Sequence, residues 1–384
     1  MLMKSDEIAE VVAWRRHLHR NPELAFEEHE TAAFVARMLA SFGLSVSAGI
    51  AGTGVVGTLS RGTSGRTIGI RADMDALPIE ELGQAPYKSV MPGKMHACGH
   101  DGHVAMLLAA ARACAQSGHF DGTVHFIFQP AEENEGGARH MVEDGLFTEF
   151  PCDAVYALHN WPALPLGSCV ARDGAMMAAL GTFEIVIEGR GSHGAMPHEG
   201  VDPIVAACEL GTSLQTIVSR NVSPLEPAVV SITQVHAGDA WNVIPASCVL
   251  RGTTRWFDNA VGDLIESRLT SLASSIASGF GCKATVRHDR RYPPTFNDAA
   301  EAAFIRSVVG TQTEIRVEEA PPSMAAEDFA FMLEARPGCY LWLGSGRAGS
   351  NPGLHSPYFD FNDEVIPHGV NLWRRVVETK LSAD

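Results

Sequence analysis

The chain has 384 residues, enough for two domains of ordinary size, and its 46% hydrophobic content is typical of a soluble globular protein with a sizeable core. A formal net charge of −16 at pH 7 argues against nucleic acid or an anionic membrane surface as a partner. The eight cysteines are scattered, the N-terminal segment is too charged for a signal peptide, and no window approaches the roughly 18 apolar residues of a membrane helix, so we expect a cytoplasmic protein.

The first half of the chain alternates predicted helices with predicted strands. The helices are expected at Ser5–His19, Glu27–Phe42, Val104–Gln116 and Ala138–Glu143. The strands are expected at Gly54–Leu59, Thr67–Arg71, Thr123–Phe128 and Ala154–Leu158. Such alternation is typical of an α/β layer with a twisted, mostly parallel sheet. In open sheets of this kind the ligand crevice lies at the C-terminal ends of the strands.

From Gly181 onward the predicted order changes to strand, helix, strand, strand, helix, strand. The segments are Phe183–Glu188, Asp202–Arg220, Ala228–Val235, Cys248–Trp256, Asp258–Ser278 and Lys283–Arg290. This order is the split βαβ plan of a ferredoxin-like unit. After Pro293-Pro294 the chain continues with segments at Ala299–Val309, Glu327–Glu334 and Cys339–Leu343, and a final helix through Trp373. The sequence therefore predicts an α/β domain of residues 1–180 and 295–384, with an α+β domain inserted at residues 181–294.

The stretch Met95 to His103, MHACGHDGH, carries one thiol, three imidazoles and one carboxylate. Cys98 and His100 are two residues apart, so in an extended or looped backbone both side chains can point to the same side. Thiolate and imidazole are good ligands for borderline-soft divalent ions such as zinc. The alternative is a buried structural thiol with surface histidines, which is common for any single Cys or His.

Further groups of ligand type follow predicted strands or lie in loops. Glu132 and Glu133 come after the strand that begins at Thr123, His159 closes the next strand, and His355 lies in the loop GLHSPYFDF. Two metal ions that share a bridging group can use such a set and leave positions open for water and substrate. A solvated acidic turn and structural histidines are the alternative, which the spacing alone leaves open.

Several long motifs resemble the amidohydrolase branch of the M20 metallopeptidases, which includes hippurate hydrolases, N-acyl-amino-acid hydrolases and auxin-conjugate hydrolases. They run almost from end to end of the chain: HRNPEL, GIRADMDALPI, MHACGHDGH, FQPAEE, LHN, GRGSHGAMPH, WNVIP, MAAEDFA and LHSPYFDFND. Ser192 stands where relatives often carry glycine, a departure that we expect to matter little.

The resemblance implies a binuclear metal centre whose ligands are Cys98, His100, Glu133, His159 and His355. It makes Glu132 the general base and assigns Asp73 to steadying a ligand. It also implies that the inserted domain is a lid that mediates dimerisation and lends His193 and Asn242 to the active site. The chain is therefore expected to be a homodimer or a dimer-based oligomer, with a catalytic domain formed by the α/β part.

The implied reaction is metal-dependent hydrolysis of the amide bond of N-acyl amino acids, such as hippurate-like or N-acetyl amino acids. Zinc suits the thiolate and imidazoles, but manganese and cobalt are also compatible. Because the amino acid product carries a carboxylate, its site needs a cation, and Arg255 at a strand end is the candidate. The alternative for Arg255 is a surface ion pair.

Other functions stay open at this point. The nearest is a dipeptidase or another peptide-bond hydrolase of the same family. A thiol hydrolase that uses Cys98 as nucleophile would leave Glu132, Glu133, His159 and His355 without a task. A catalytically silent binding protein would be expected to have lost a ligand or the base, whereas all of these residues are present.

Overall fold

Apolar runs and alternating patterns become strands in the computed structural model, which describes residues 3–349 and 352–383. The strands are β1 Ser45–Ile50, β2 Gly54–Arg61, β3 Thr67–Asp73, β4 Gly122–Gln129, β5 Ala154–Pro165, β6 Ser168–Val170, β7 Gly174–Met177, β8 Ala179–Glu188, β9 Ser192–His193, β10 Ala228–His236, β11 Val243–Ile244, β12 Ser247–Trp256, β13 Lys283–Tyr292, β14 Thr295–Asn297, β15 Arg316–Val317 and β16 Gly338–Gly346. The helices are α1 Ser5–Arg20, α2 His29–Ser41, α3 His100–Ser117, α4 Gly137–Glu143, α5 Leu146–Glu149, α6 Pro203–Leu214, α7 Asn259–Gly279, α8 Ala299–Gln312, α9 Ala330–Ala335 and α10 Ile366–Lys380.

These elements belong to two compact units. The first unit comprises Met1–Met176, Phe296–Pro321 and Asp328–Asp384. The second comprises Met177–Thr295 and Pro322–Glu327. The short segment before Asp328 thus groups with the second unit, although the prediction from sequence assigns all residues beyond 294 to the α/β part.

The first unit is built on a sheet with the order β1-β2-β4-β3-β5-β16-β6-β15. Its centre, from β4 through β3 and β5 to β16, is parallel, while β1 and β2 join antiparallel at one side. Strands β3 and β4 are buried along almost their whole length, as expected when helices cover both faces of a parallel sheet. The predicted α/β class with a largely parallel sheet is confirmed.

Helix α3 is the central helix of this unit. Every side chain from Val104 to Ala110 is buried, so the helix is apolar on all sides and packs against β3 and α10. It begins at His100 rather than at the predicted Val104, because Gly99 takes a left-handed conformation and ends the preceding loop there. The histidines of the MHACGHDGH stretch therefore lie partly on the helix itself.

The second unit has a sheet with the order β10-β12-β8-β13, in which every neighbouring pair is antiparallel. Strand β8 alternates buried and partly exposed residues, and its buried face packs with Leu210 of α6 and Ile265 of α7. Both helices begin after an aspartate whose side chain accepts a backbone N–H of the first turn, Asp202 for α6 and Asp258 for α7. This is the predicted ferredoxin-like arrangement.

Two further helix boundaries and one strand also differ from the prediction. The helix expected over Asp202–Arg220 ends at Leu214 and continues as a π-helical turn at Ile217–Asn221. The helix expected from Glu327 begins only at Ala330. Strand β1 was not predicted, since its residues carry few of the β-branched and aromatic side chains that mark strands. Among the described residues, no helix is long and apolar enough to cross a lipid bilayer.

Candidate metal centre

The five predicted ligands come together in the first unit, around the C-terminal ends of its parallel strands. Cys98, Glu133 and His355 offer ligand atoms that lie within 4.8 Å of one another. His100, Glu132 and Glu133 form an overlapping group at the same distances. His159 joins them through Cys98, whose Sγ lies 3.3 Å from the Nε2 atom of His159. The structure thus brings all five side chains, and Glu132 with them, into one cluster.

The backbone between Cys98 and His100 depends on glycine. Gly99 has a φ of +93°, and a Cβ atom there would lie 2.3 Å from the side-chain oxygen of Asn160. Left-handed backbone and close approach both favour glycine at this position. The turn lets the thiol before Gly99 and the imidazole after it face the same cluster, as the spacing of Cys98 and His100 predicts.

The buried imidazoles are oriented by backbone carbonyl groups. The Nδ1–H of His100 donates to the carbonyl oxygen of Asp75 at 2.9 Å, and that of His159 donates to the carbonyl oxygen of Asn160 at 2.8 Å. This places the lone pairs of both Nε2 atoms towards the cluster, the arrangement usual for histidines that bind metal. Among the described residues, the buried Nε2 of His100 has no hydrogen-bond partner. The donor set therefore fits a divalent metal ion.

His355 reaches the cluster from a loop with an unusual backbone. Its φ is +65°, a left-handed value rare for residues other than glycine. The backbone N–H of His355 donates to the carbonyl oxygen of Ala97 at 2.8 Å, which ties this loop to the segment that carries Cys98. Its Nε2 lies 3.1 Å from Glu133 Oε1, and 52% of the side chain is exposed. The cluster is therefore buried on the side of α3 and open at His355.

Electrostatics oppose a free thiolate in this cluster. Burial, together with the carboxylates of Glu133 and Glu132, raises the pKa of the Cys98 thiol well above its usual value. Burial also holds the pKa of the neighbouring His159 well below its usual value, so that this imidazole is neutral. A nucleophilic cysteine needs the opposite, a lowered pKa beside a cationic imidazole. A bound cation would instead stabilise both the thiolate and the carboxylates.

Asp73 lies in a buried charged network beside His100, with its Oδ2 atom 3.6 Å from the Nε2 atom of His100. Its carboxylate accepts hydrogen bonds from Arg71 at 2.8 Å and from His103 Nδ1 at 2.6 Å. Burial disfavours an ionised Asp73, but the charges of His100, Arg71 and His103 outweigh it and keep its pKa well below the usual value. Likewise, Asp73 and Asp75 overcome the effect of burial and raise the pKa of His100 to about 10. A proton and a metal ion therefore compete for His100 Nε2.

The remaining predicted residues lie in the second unit. His193 is exposed, and its Nδ1 accepts the backbone N–H of Ala195 at 3.0 Å, so that in the neutral ring the proton resides on Nε2. Asn242 lies beside it, since its carbonyl oxygen accepts the N–H of Gly194 at 2.7 Å. Arg255 is half-buried and lies one residue before the end of β12.

Within the part of the chain that the structure describes, Arg255 makes no ion pair, which was the alternative to a substrate-binding role. Its guanidinium donates to the hydroxyl of Thr253 and, at 2.9 Å, to the carbonyl oxygen of Thr254. No described Asp or Glu lies within 4.0 Å of it, whereas Arg251 on the same strand pairs with Glu184 at 2.6 Å. Burial alone lowers the pKa of Arg255. A half-buried cation without a carboxylate partner is suited to binding an anion.

Some residues of the cluster escaped the sequence analysis. His103 lies one turn after His100 on α3, and both of its ring nitrogens are engaged, with Asp73 and with Asn160. Asp75 accepts the backbone N–H of Glu133 at 2.9 Å. The i, i+3 spacing of the two histidines was a usable signal for the first. Nothing in the local sequence indicated the role of Asp75, because its contact with Glu133 joins residues 58 positions apart.

The chain matches the model of "Peptidase family M20/M25/M40" over residues 69–379. It is 39% identical over 358 residues to an N-acetyl-L-cysteine deacetylase of Bacillus subtilis (strain 168), covering 93% of this chain and 85% of that protein. It is 40% identical over 367 residues to a hippurate hydrolase of Campylobacter jejuni, covering 94% of each.

A solved structure is similar over the whole length. It is a dinuclear metal-binding peptidase from the M20 family, from Bacillus subtilis, with a TM-score of 0.87 and 32% sequence identity, and the match covers 99% of this chain and 100% of that one. Sequence and fold thus agree on the same group of proteins, and the solved relative is one that binds two metal ions.

Proposed function

The chain belongs to peptidase family M20/M25/M40, and we propose that it uses a binuclear metal centre to hydrolyse the amide bond of N-acyl amino acids to a carboxylic acid and a free amino acid. The observation that carries this function is the cluster around Cys98, in which oriented imidazole Nε2 atoms face a buried thiol and two adjacent carboxylates. Such a concentration of ligand atoms in a half-open site is what a metal-dependent hydrolase requires.

Two divalent metal ions would be held by Cys98, His100, Glu133, His159 and His355. When bound, such ions lower the pKa of water and stabilise the negative charge that develops on an amide oxygen. With the cations present, the thiol and the carboxylate would be deprotonated and the imidazoles neutral, because metal binding competes with protonation of the ligand atoms. Zinc fits the thiolate and imidazole ligands, and our proposal also allows manganese or cobalt at this site.

Glu132 is the proton carrier in this proposal. Its side chain is 7% exposed, lies beside Glu133 in the cluster and is the carboxylate that the resemblance leaves free of metal. It takes a proton from the attacking water and passes it to the nitrogen of the leaving amino acid, as general acid–base catalysis requires. An amide nitrogen is a poor leaving group until it is protonated, so the second transfer matters as much as the first.

His193 and Asn242 serve the carbonyl oxygen in this proposal. Because the Nδ1 of His193 accepts a backbone N–H, its Nε2–H is free to donate to a developing oxyanion. A donor that meets the oxyanion contributes more to the transition state than to the ground state, because the negative charge develops during the reaction. We propose that these residues act in the active site of a partner chain, so that the enzyme is a homodimer with the second unit as its dimerisation lid.

Arg255 is proposed to bind the carboxylate of the amino acid part of the substrate. The support is its lack of a carboxylate partner among the described residues, together with the half-buried position. A charge-assisted, two-pronged contact between guanidinium and carboxylate gives both affinity and orientation. It would also explain a preference for N-acyl amino acids over simple amides.

The acyl group is proposed to meet an aromatic wall in the first unit. The ring of Trp161 lies 6.2 Å from that of His159 and stacks on Trp342, with centroids 4.1 Å apart and planes 12° from parallel. Trp161 is only half-buried, so one part of its ring is accessible. Aromatic rings stack favourably on such surfaces. We therefore propose that aromatic acyl groups are accepted alongside small ones.

The test is a panel of N-acetyl, N-benzoyl and N-indoleacetyl amino acids, together with unblocked dipeptides, assayed before and after treatment with a strong chelator. We expect hydrolysis of the N-acyl compounds, loss of activity on chelation, and recovery with manganese, zinc or cobalt. Elemental analysis should approach two metal ions per chain. Preference for unblocked dipeptides would indicate a peptidase instead. Full activity in metal-free protein, with inactivation by thiol alkylation, would support the thiol hydrolase. We also propose that the protein acts in the cytoplasm.

A further inference from the structure

The loop that carries Glu132 and Glu133 begins with a strained residue. Ala131 has a φ of +54°, in the left-handed region that residues other than glycine and asparagine rarely adopt. Adjacent residues of a regular strand point to opposite faces, so a continued β4 would separate the two carboxylates. The left-handed turn at Ala131 breaks that alternation directly before Glu132, which lets both side chains reach one cluster.

A buried glutamate from a distant part of the chain holds this turn. Glu28 precedes α2, its side chain is fully buried, and its Oε1 accepts the backbone N–H of Ala131 at 2.8 Å. Its other oxygen, Oε2, accepts the hydroxyl of Thr53 at 2.6 Å. A buried carboxylate is costly unless its oxygens are bonded, and both are bonded here. Glu28 is separated from Ala131 by 103 positions, so the contact is a tertiary one.

Other buried carboxylates hold the rest of this loop and the first turn of α4. Asp75 accepts the N–H of Glu133 at 2.9 Å, and Asp328 accepts the N–H of Ala138 at 2.8 Å. Glu28 differs from both in its position. It binds the residue that carries the strain, one position before the general base, and among the described residues its side-chain hydrogen bonds go to Ala131 and Thr53 rather than to a proposed metal ligand.

We propose that Glu28 is a positioning residue for catalysis: by accepting the N–H of Ala131 it holds that residue in the left-handed conformation and thereby aims Glu132 at the substrate. The inference rests on the proposed function, because it takes Glu132 as the base. The carboxylate of Glu28 binds Thr53 and Ala131, so in this proposal it acts without contacting substrate or metal. Its effect is transmitted through one backbone hydrogen bond, and a shift of about 1 Å in a catalytic group can cost about 10²-fold in rate.

The main variant is Glu28→Met, which keeps the length of the side chain and removes the acceptor. We expect kcat of the metal-loaded protein to fall about 10-fold to 10²-fold with little change in KM. Hydrogen–deuterium exchange of peptides spanning residues 129–138 should rise, because the Ala131 amide loses its partner. Metal content is measured alongside, so that kcat refers to loaded chains. Glu28→Gln keeps an acceptor for Ala131 and can donate to Thr53, and should restore most of kcat.

Two further variants separate positioning from stability. Thr53→Val removes the other hydrogen bond of Glu28 and should lower the melting temperature while kcat and the exchange of residues 129–138 stay near wild type. Ala131→Gly makes the left-handed conformation intrinsically accessible, so Glu28→Met should cost less kcat in that background than in the Ala131 protein.

The inference is overturned if Glu28→Met retains wild-type kcat, or if Thr53→Val loses as much kcat as Glu28→Met. It is also overturned if Glu28→Gln is as poor as Glu28→Met. The exchange measurement does not depend on the reaction. If the wild-type protein hydrolysed no N-acyl amino acid, the proposed function would fail while the contact between Glu28 and Ala131 stayed testable by exchange.

Discussion

The two units present their candidate functional residues in opposite ways. In the first unit Cys98, His100 and His159 are buried, and their ring and thiol atoms contact one another and a surrounding set of carboxylates. In the second unit His193 and Asn242 are exposed and make few contacts beyond a short backbone pairing. One group has its geometry fixed by the fold of its own unit, and the other does not.

This difference teaches what each group requires. A buried thiol next to carboxylates needs a cation before it ionises, because burial and the neighbouring negative charges oppose the thiolate. Exposed residues need no counter-charge, and their precision must come from a substrate or a second chain. The first unit is therefore expected to hold the metal ions and the general base, and the second to supply the oxyanion donor, substrate binding and assembly. Four predictions test that division.

The largest effects are expected for the two adjacent glutamates of the first unit. Glu132→Gln should keep the metal content and lose roughly 10²–10⁴ in kcat, the usual contribution of a general base. Glu133→Gln should instead lower metal occupancy, because it removes a charged ligand. The measurements are kcat on metal-loaded protein and elemental analysis of both variants.

Each glutamate variant is the control for the other, since both make the same change at neighbouring positions. If Glu132→Gln lost metal and Glu133→Gln retained it, the roles that we assign to the two residues would have to be exchanged. Equal loss of metal in both would mean that neither carboxylate is free of the ions.

The second prediction concerns the origin of His193. If it acts in the partner's site, a Glu132→Ala chain still lends an intact His193, and a His193→Ala chain still carries an intact Glu132. Each homodimer should be almost inactive, whereas a mixed dimer has one site with both residues. Equal amounts that reassort at random give half mixed dimers, so about a quarter of all sites should recover activity.

The measurement is activity after co-expression of the two variants with different tags, and purification through both tags isolates the mixed dimers. A control mixture of each variant with itself should stay inactive. Absence of recovery in doubly tagged protein would mean that His193 acts within its own chain or has no part in the reaction.

The third prediction concerns the cation of the second unit. Arg255→Met should raise KM for N-acyl amino acids about 10-fold to 10²-fold, because a hydrogen bond to a charged group contributes about 1.5–3 kcal/mol. The change in kcat should be small, since the carboxylate is bound equally before and during reaction. Arg251→Met is the matched control, on the same strand but ion-paired with Glu184, and it should leave KM unchanged.

An amide analogue of the substrate sharpens the result for Arg255. If Arg255 binds the carboxylate, replacing that group by a carboxamide should raise KM far more for the wild-type enzyme than for the Arg255→Met variant. Equal losses in both proteins would assign the carboxylate to another residue.

Much of this architecture could be predicted from the sequence, because it depends on local residue patterns. The order of strands and helices follows from periodicity, and the spacing of Cys98 and His100 across Gly99 indicates a shared ligand site. Tertiary contacts could not be predicted in this way. Glu28 accepts a hydrogen bond from the Ala131 amide, and Asp75 accepts one from the Glu133 amide. Both bonds join segments that are far apart in the chain. Such contacts fix side-chain direction, which composition and periodicity do not encode.

The smallest effect is expected at the stacked rings of Trp161 and Trp342, and it tests whether the first unit also binds the acyl group. Trp161→Ala removes a half-buried ring that stacks on Trp342 beside His159. A contact of this size discriminates between substrates by about 1–3 kcal/mol, or roughly 10-fold to 10²-fold. The variant should therefore lose more kcat/KM for N-benzoyl than for N-acetyl amino acids, because an acetyl group has no ring to stack. Trp161→Phe keeps an aromatic face and should retain most of the preference. An equal loss for both acyl groups would mean that Trp161 supports His159 rather than the substrate, and acyl selectivity would then have to come from other residues.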